Sequence, residues 1–190
     1  MKKAVDFTSL EKHIIEVIQE EQIKLGYRSE LIRLYYPLTS LNRFLHTDAA
    51  EKEMTELLKT FSRETTETLG GVEISNKGER FCISIPPAGV DYVHDHTNGN
   101  EFIAGFIEAI GKHGCTMDEL LQQFHKYSDR VHVERTSHGE FDYLVYFEDG
   151  VPDDYRYCIT DEGCHLIYHR FTPEDYEDFQ FLEENIKINQ

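Results

Sequence analysis

The segment VHVERTSHGEFDYLVYFEDGVPDDYRYCITDEGCHLIYHRF, residues 131–171, leaves the chain little choice of fold. Val131 and Val133 alternate with His132 and Glu134. Phe141, Tyr143, Val145 and Phe147 alternate with Asp142, Leu144, Tyr146 and Glu148. Tyr155, Tyr157 and Ile159 continue the pattern, then Leu166 and Tyr168. Successive side chains of a strand point to opposite faces, so a period of two in β-branched and aromatic residues is the mark of a half-buried strand. The runs are broken at Ser137-His138-Gly139, Pro152-Asp153-Asp154 and Asp161-Glu162-Gly163. Runs of this length between such breaks predict an antiparallel meander.

The rest of the chain reads mostly as helices. Thr8 and Glu11 have capping-box spacing ahead of a stripe of Leu10, Ile14, Val17, Ile18 and Leu25, with Gly26 as its stop. Residues 29–36 fit a strand or a helix; Pro37 favours a strand, because the residue before proline avoids the α region. Leu41, Phe44 and Leu45 suggest a short helix. Asp48 is placed to cap another, with Met54, Leu57, Leu58 and Phe61 on its buried face. Val72 to Ile85 reads as a hairpin turning at Lys77-Gly78, with Ile74 opposite Phe81 and Val72 opposite Ile83. Pro86-Pro87-Ala88-Gly89 then breaks the strand, and residues 90–100 form a polar connector. Asn100 caps a helix bearing Phe102, Ile103, Phe106 and Ile110. Thr116 and Glu119 box the start of the next, with Leu120 and Phe124 buried. Thr172-Pro173-Glu174-Asp175 starts a last helix, whose Tyr176, Phe179 and Leu182 can face a core. Elements in blocks indicate an α+β fold. The sheet is mainly antiparallel, a hairpin plus the C-terminal meander, with helices packed largely on one face. Residues 1–190 are expected to form one domain, helix-rich over about 1–70 and sheet-rich over about 72–190.

The net charge is −17, from 19 basic and 36 acidic side chains. Such a surface repels phosphate backbones and anionic lipid heads, and no basic patch stands out along the sequence, so neither nucleic acid nor membrane is an expected partner. A basic protein is. No apolar run approaches the roughly 20 residues of a membrane span. The N-terminus lacks the apolar core of a signal peptide. The four cysteines form no CxxC pair, which fits a cytoplasmic protein with reduced thiols.

Four groups of residues could carry chemistry. His94 and His96, either side of Asp95, would point the same way in an extended segment, as zinc chelation needs. They would support a small metal-assisted hydrolase; the plainer reading is a solvated loop. Cys158 would meet His165 and His169 on one face if the last hairpin turned at Glu162-Gly163. A three-residue turn, Asp161-Glu162-Gly163, would set Cys158 against Leu166, away from both. Glycine suits the left-handed position of that second turn, which favours it. Cys115 precedes a capped helix two residues from His113, although no third orienting group is evident. Finally, Tyr155, Arg156, Tyr157, Tyr168, His169 and Arg170 form a strip of the kind that anchors protein interfaces, and equally of the kind a sheet buries.

The segments YRYCITDEGCHLIYHRFTPEDYEDF, RFCISIPPAGVDYVHDH and LYYPLTSLNRFL resemble an uncharacterised bacterial family, domain of unknown function 3877. The resemblance covers most of the chain. It implies a cytoplasmic bacterial protein and carries over no catalytic residue or cofactor. The residues themselves point first to a non-enzymatic, acidic protein-binding module of immunity or adaptor type. The alternatives are the hydrolase above and a small-ligand-binding module with its pocket between sheet and helices.

Overall fold

The computed structural model describes residues 5–97, 99–136 and 140–188, with side chains as far as residue 180. The break at Ser137-His138-Gly139 and the side chain of Leu182 lie outside these. The chain divides into two compact units, Met1–Gly99 and Asn100–Gln190. The division falls at 99/100, so the first unit carries both helices and strands.

In the first unit the elements are α1 (Thr8–Leu25), β1 (Ile32–Pro37), α2 (Leu38–Leu45), α3 (Glu51–Glu64), α4 (Thr66–Leu69), β2 (Glu73–Lys77), β3 (Arg80–Ile85) and α5 (Pro87–His96). The strands pair antiparallel in the order β1-β3-β2. Tyr36, Phe81, Ile83 and Ile85 turn inward against Leu10, Ile14 and Ile18 of α1, Leu41 of α2, and Met54, Leu58 and Phe61 of α3. Full burial of each such side chain contributes about 1.5–3 kcal/mol. The opposite face carries Arg33, Tyr35, Glu73, Ser75, Lys77 and Arg80, all exposed.

Several local expectations need correction here. Thr8 and Glu11 make no capping box. Asp6 receives both the Thr8 backbone N–H (2.9 Å) and its hydroxyl (2.6 Å), taking the place that the Glu11 carboxylate would fill in a box. Glu11 accepts instead from the Thr68 hydroxyl. Asp48 caps nothing: α3 begins at Glu51 with Ala50 at its N-cap. Leu25 lies at the end of α1 and is 61% exposed. The hairpin register is displaced by two residues: Lys77 faces Arg80 and Ile74 faces Ile83, which leaves Gly78-Glu79 as the turn. Gly78 there has φ 59, a value glycine reaches without strain. A shift of two keeps every side chain on its expected face.

The largest correction is α5. The polar connector is a helix. Pro87 occupies its first turn, where a missing N–H costs nothing, so the prolines read as strand breakers also begin a helix. Gly89 makes the fit possible, because a Cβ there would run into the Leu69 carbonyl group.

The second unit comprises α6 (Glu101–Ile110), α7 (Met117–His125), β4 (Val131–Arg135), β5 (Tyr143–Phe147), β6 (Arg156–Asp161), β7 (Leu166–Phe171) and α8 (Pro173–Ile188). The Asn100 side chain accepts from the N–H groups of Phe102 and Ile103, as expected of a cap. Thr116 and Glu119 form the predicted capping box. The strands run as a meander, β4-β5-β6-β7, each antiparallel to the next. One face packs on α6 and α7 through edge-to-face rings. Phe102 lies 4.9 Å from Phe147, and Phe106 lies 4.9 Å from Tyr157 and 4.7 Å from Tyr168. The other face is covered at one end by α8, whose Tyr176 and Phe179 meet Leu144, Cys158, Phe141 and Phe171. Helices therefore lie on both faces of this sheet, whereas the first unit's sheet has one face bare.

Candidate functional site

The helix α5 decides the fate of the two-histidine segment. Residues two apart on a helix lie roughly 200° apart around its axis, so the extended geometry that chelation requires is lost. His94 stacks on Tyr27, centroids 3.9 Å apart, and His96 stacks on Tyr92 at 4.4 Å. The Tyr27 hydroxyl donates to Asp91 at 2.8 Å, which fixes the first stack against the helix. His94 and Tyr27 border a cavity of about 320 Å³ with Gln19, Gln22, Ile23 and Val93, at the small end of ligand-pocket volumes.

The last hairpin departs from both turns considered. Asp161 faces Leu166, so Glu162, Gly163, Cys164 and His165 form the loop, closed by the Glu162 N–H donating to the His165 carbonyl at 3.0 Å. Cys158 then stands opposite His169. The preferred turn placed them on opposite faces; that is overturned, because the loop has four residues, two more than the shorter turn, and so shares that turn's parity. Cys158 is nonetheless 1% exposed beneath α8, and His169 leans toward Phe141. His165 has left the strand for the loop. Among the described residues no three His, Cys, Asp or Glu side chains are placed to hold one metal ion.

His165 meets other partners. Its Nδ1 lies 3.1 Å from the Cys164 thiol, and its Nε2 lies 3.5 Å from a Glu162 carboxylate oxygen. Thiol, imidazole and carboxylate in that order are the elements of an activated nucleophile. All three stand in an exposed loop, and the Cys164 carbonyl accepts from the Gly114 N–H at 3.0 Å. The sequence DEGCH shows the three residue types together; what hid their contact was the loop length. Cys115, the thiol singled out from the sequence, is less suited to attack. Burial pushes its thiol above the ordinary range, Glu119 adds to that, and Lys112 only partly opposes it.

The aromatic and arginine strip divides between the two faces. Tyr155 and Tyr157 are buried on the α6–α7 side. Tyr168 is half-buried there against Phe106, and the Arg170 guanidinium lies over the Tyr155 ring at 4.0 Å. Arg156 lies on the other side, over Tyr146 at 3.8 Å. Beneath the strip, Asp153 is 8% exposed and accepts from the Tyr157 hydroxyl at 2.7 Å. Burial, above all, and the adjacent carboxylate hold that hydroxyl well above the ordinary phenol range, while Arg170 opposes both. Tyr155 and Tyr157 belong to the core of the second unit, whereas Tyr168, Arg156 and Arg170 are only partly covered.

The surface gathers charge differently. Lysines pair along helices: Lys12 with Glu16, Lys24 with Glu20, Lys59 with Glu56, Lys112 with Glu108. Arg130 pairs with Glu148 between strand ends, and Arg135 lies over Tyr143. Carboxylates exceed these cations, and Glu64, Glu67, Glu101, Asp118, Asp154 and Glu177 stand exposed without a side-chain partner among the described residues.

No curated protein and no solved structure matches the chain. A family profile described as "Domain of unknown function, E. rectale Gene description (DUF3877)" matches residues 7–180, and the chain belongs to that family.

Proposed function

We propose that this member of the DUF3877 family is a non-enzymatic binding protein, of immunity or adaptor type, that recruits a basic protein partner through its carboxylate-rich surface. The observation that carries the reading is the way the charges are disposed. Several cations are held in helix-surface pairs or over tyrosine rings, while surplus carboxylates, Glu64, Glu67 and Asp118 among them, stand exposed with no side-chain partner among the described residues. A field of that kind steers an oppositely charged partner and speeds encounter. Among the described residues no helix is long and apolar enough to cross a membrane. Four free thiols, one of them exposed, support a reducing compartment such as the cytoplasm.

The test is affinity capture with the intact protein at low and high ionic strength. A basic protein retained at low salt and released at high salt is the expected result, because exposed charges are screened within about 8 Å at physiological ionic strength. Capture that salt leaves unchanged, or no capture at low salt, rules out electrostatic recruitment.

A further inference from the structure

The bare face of the β1-β3-β2 sheet is cationic in a chain whose net charge is −17. Register sets Lys77 directly opposite Arg80, with Pro37 on the other flank of Arg80. Arg33 lies on the same face toward the other end of β1, and Tyr35 stands between. Like charges directly opposed across an antiparallel pair destabilise it. Most other described lysines and arginines have a carboxylate or an aromatic ring beside them. Arg33, Lys77 and Arg80 are exposed, with no ion pair or side-chain hydrogen bond among the described residues. Tyr35 is 71% exposed. Ser75, Cys82 and Ser84 form a low floor beside it, and the acidic Glu73 sits across from Ser84, at the far end from Lys77 and Arg80.

We propose that this face binds an acidic segment of another protein in extended conformation. One carboxylate meets Arg33, a second meets Lys77 and Arg80, and an apolar or aromatic side chain between them rests on Tyr35. The spacing sets the motif. Arg80 is level with Pro37, four residues along β1 from Arg33, or roughly 13 Å at about 3.3 Å per residue. Carboxylates four residues apart on an extended peptide span the same length, and the residue midway falls on the tyrosine's side. Arginine's planar fork suits a carboxylate in two-point contact. A nucleic-acid strand fits less well, because it carries charge at every phosphate and would run on past the patch into acidic surroundings. The proposal is independent of the basic partner argued above: surface and sign differ, so either can fail without the other.

The experiment titrates full-length protein into a fluorescein-labelled peptide containing Glu-Ala-Phe-Ala-Glu and follows anisotropy at low ionic strength. The same peptide with glutamine for glutamate and a labelled oligothymidylate are run beside it. Saturable binding of the glutamate peptide is expected, weakening with salt. Affinity should fall about tenfold or more in Lys77→Glu/Arg80→Glu, the equivalent of about 1.4 kcal/mol, and fall also in Tyr35→Ala. These side chains are exposed, so the melting temperature should not move. Arg33→Gln provides a second variant should the double reversal disturb folding. No saturable binding, equal affinity for the glutamine peptide, wild-type affinity in the charge variants, or preference for the oligonucleotide would each overturn the proposal.

Discussion

Tyr157 and Asp153 show how one hydrogen bond ties a core to pH. Asp153 is buried and its carboxylate accepts from the Tyr157 hydroxyl, so Tyr157→Phe leaves a charged acceptor short of a donor. A loss of about 1–3 kcal/mol in urea denaturation at neutral pH is expected. The hydroxyl has a second consequence. Its folded pKa is raised, so its contribution is fully present below the unfolded value of about 10 and is lost as pH rises beyond it. Wild-type stability should therefore fall in that alkaline window, and the fall should be shallower in Tyr157→Phe. At the acid end the carboxyls of Asp6 and Glu119 are held low, first by hydrogen bonds from Thr8 and Thr116 respectively. Their contribution is present above the unfolded carboxyl range and fades as pH falls through the folded values.

At the level of elements, α5 depends on a close approach. A Cβ on Gly89 would meet the backbone carbonyl of Leu69, which cannot move aside as a flexible side chain can. Gly89→Ala should cost about 1–3 kcal/mol, read as a lower urea midpoint with an unchanged slope. The sequence was informative where pattern and local chemistry agree. The meander, the Asn100 cap and the Thr116–Glu119 box were all legible, because each rests on residues a few positions apart. It was misleading where one residue type serves two ends. Pro86 and Pro87 end a strand and begin a helix, and only the second role explains why His94 and His96 are turned apart. Thr8 and Glu11 have the right spacing for a box, but Asp6 competes for the same backbone group.

For the whole molecule, the composition told more about field than about site. The acid surplus is legible from counting, yet the cationic sheet face is not. Arg33, Lys77 and Arg80 come together only once β1 and β2 pair on either side of β3, and the sequence-based register missed that by two residues. Likewise, the contact of Cys164 with His165 depends on a loop longer than turn chemistry suggested. That loop, from Glu162 to His165, is also where the gene can drift in length. Hairpins close through two, three or four loop residues, so losing one there keeps Asp161 opposite Leu166 and every β7 side chain on its own face. Losing two leaves the shortest loop that still does so. A library of deletions scored for soluble expression should therefore tolerate losses within the loop and eliminate single losses inside β6 or β7, where every residue beyond the gap changes face.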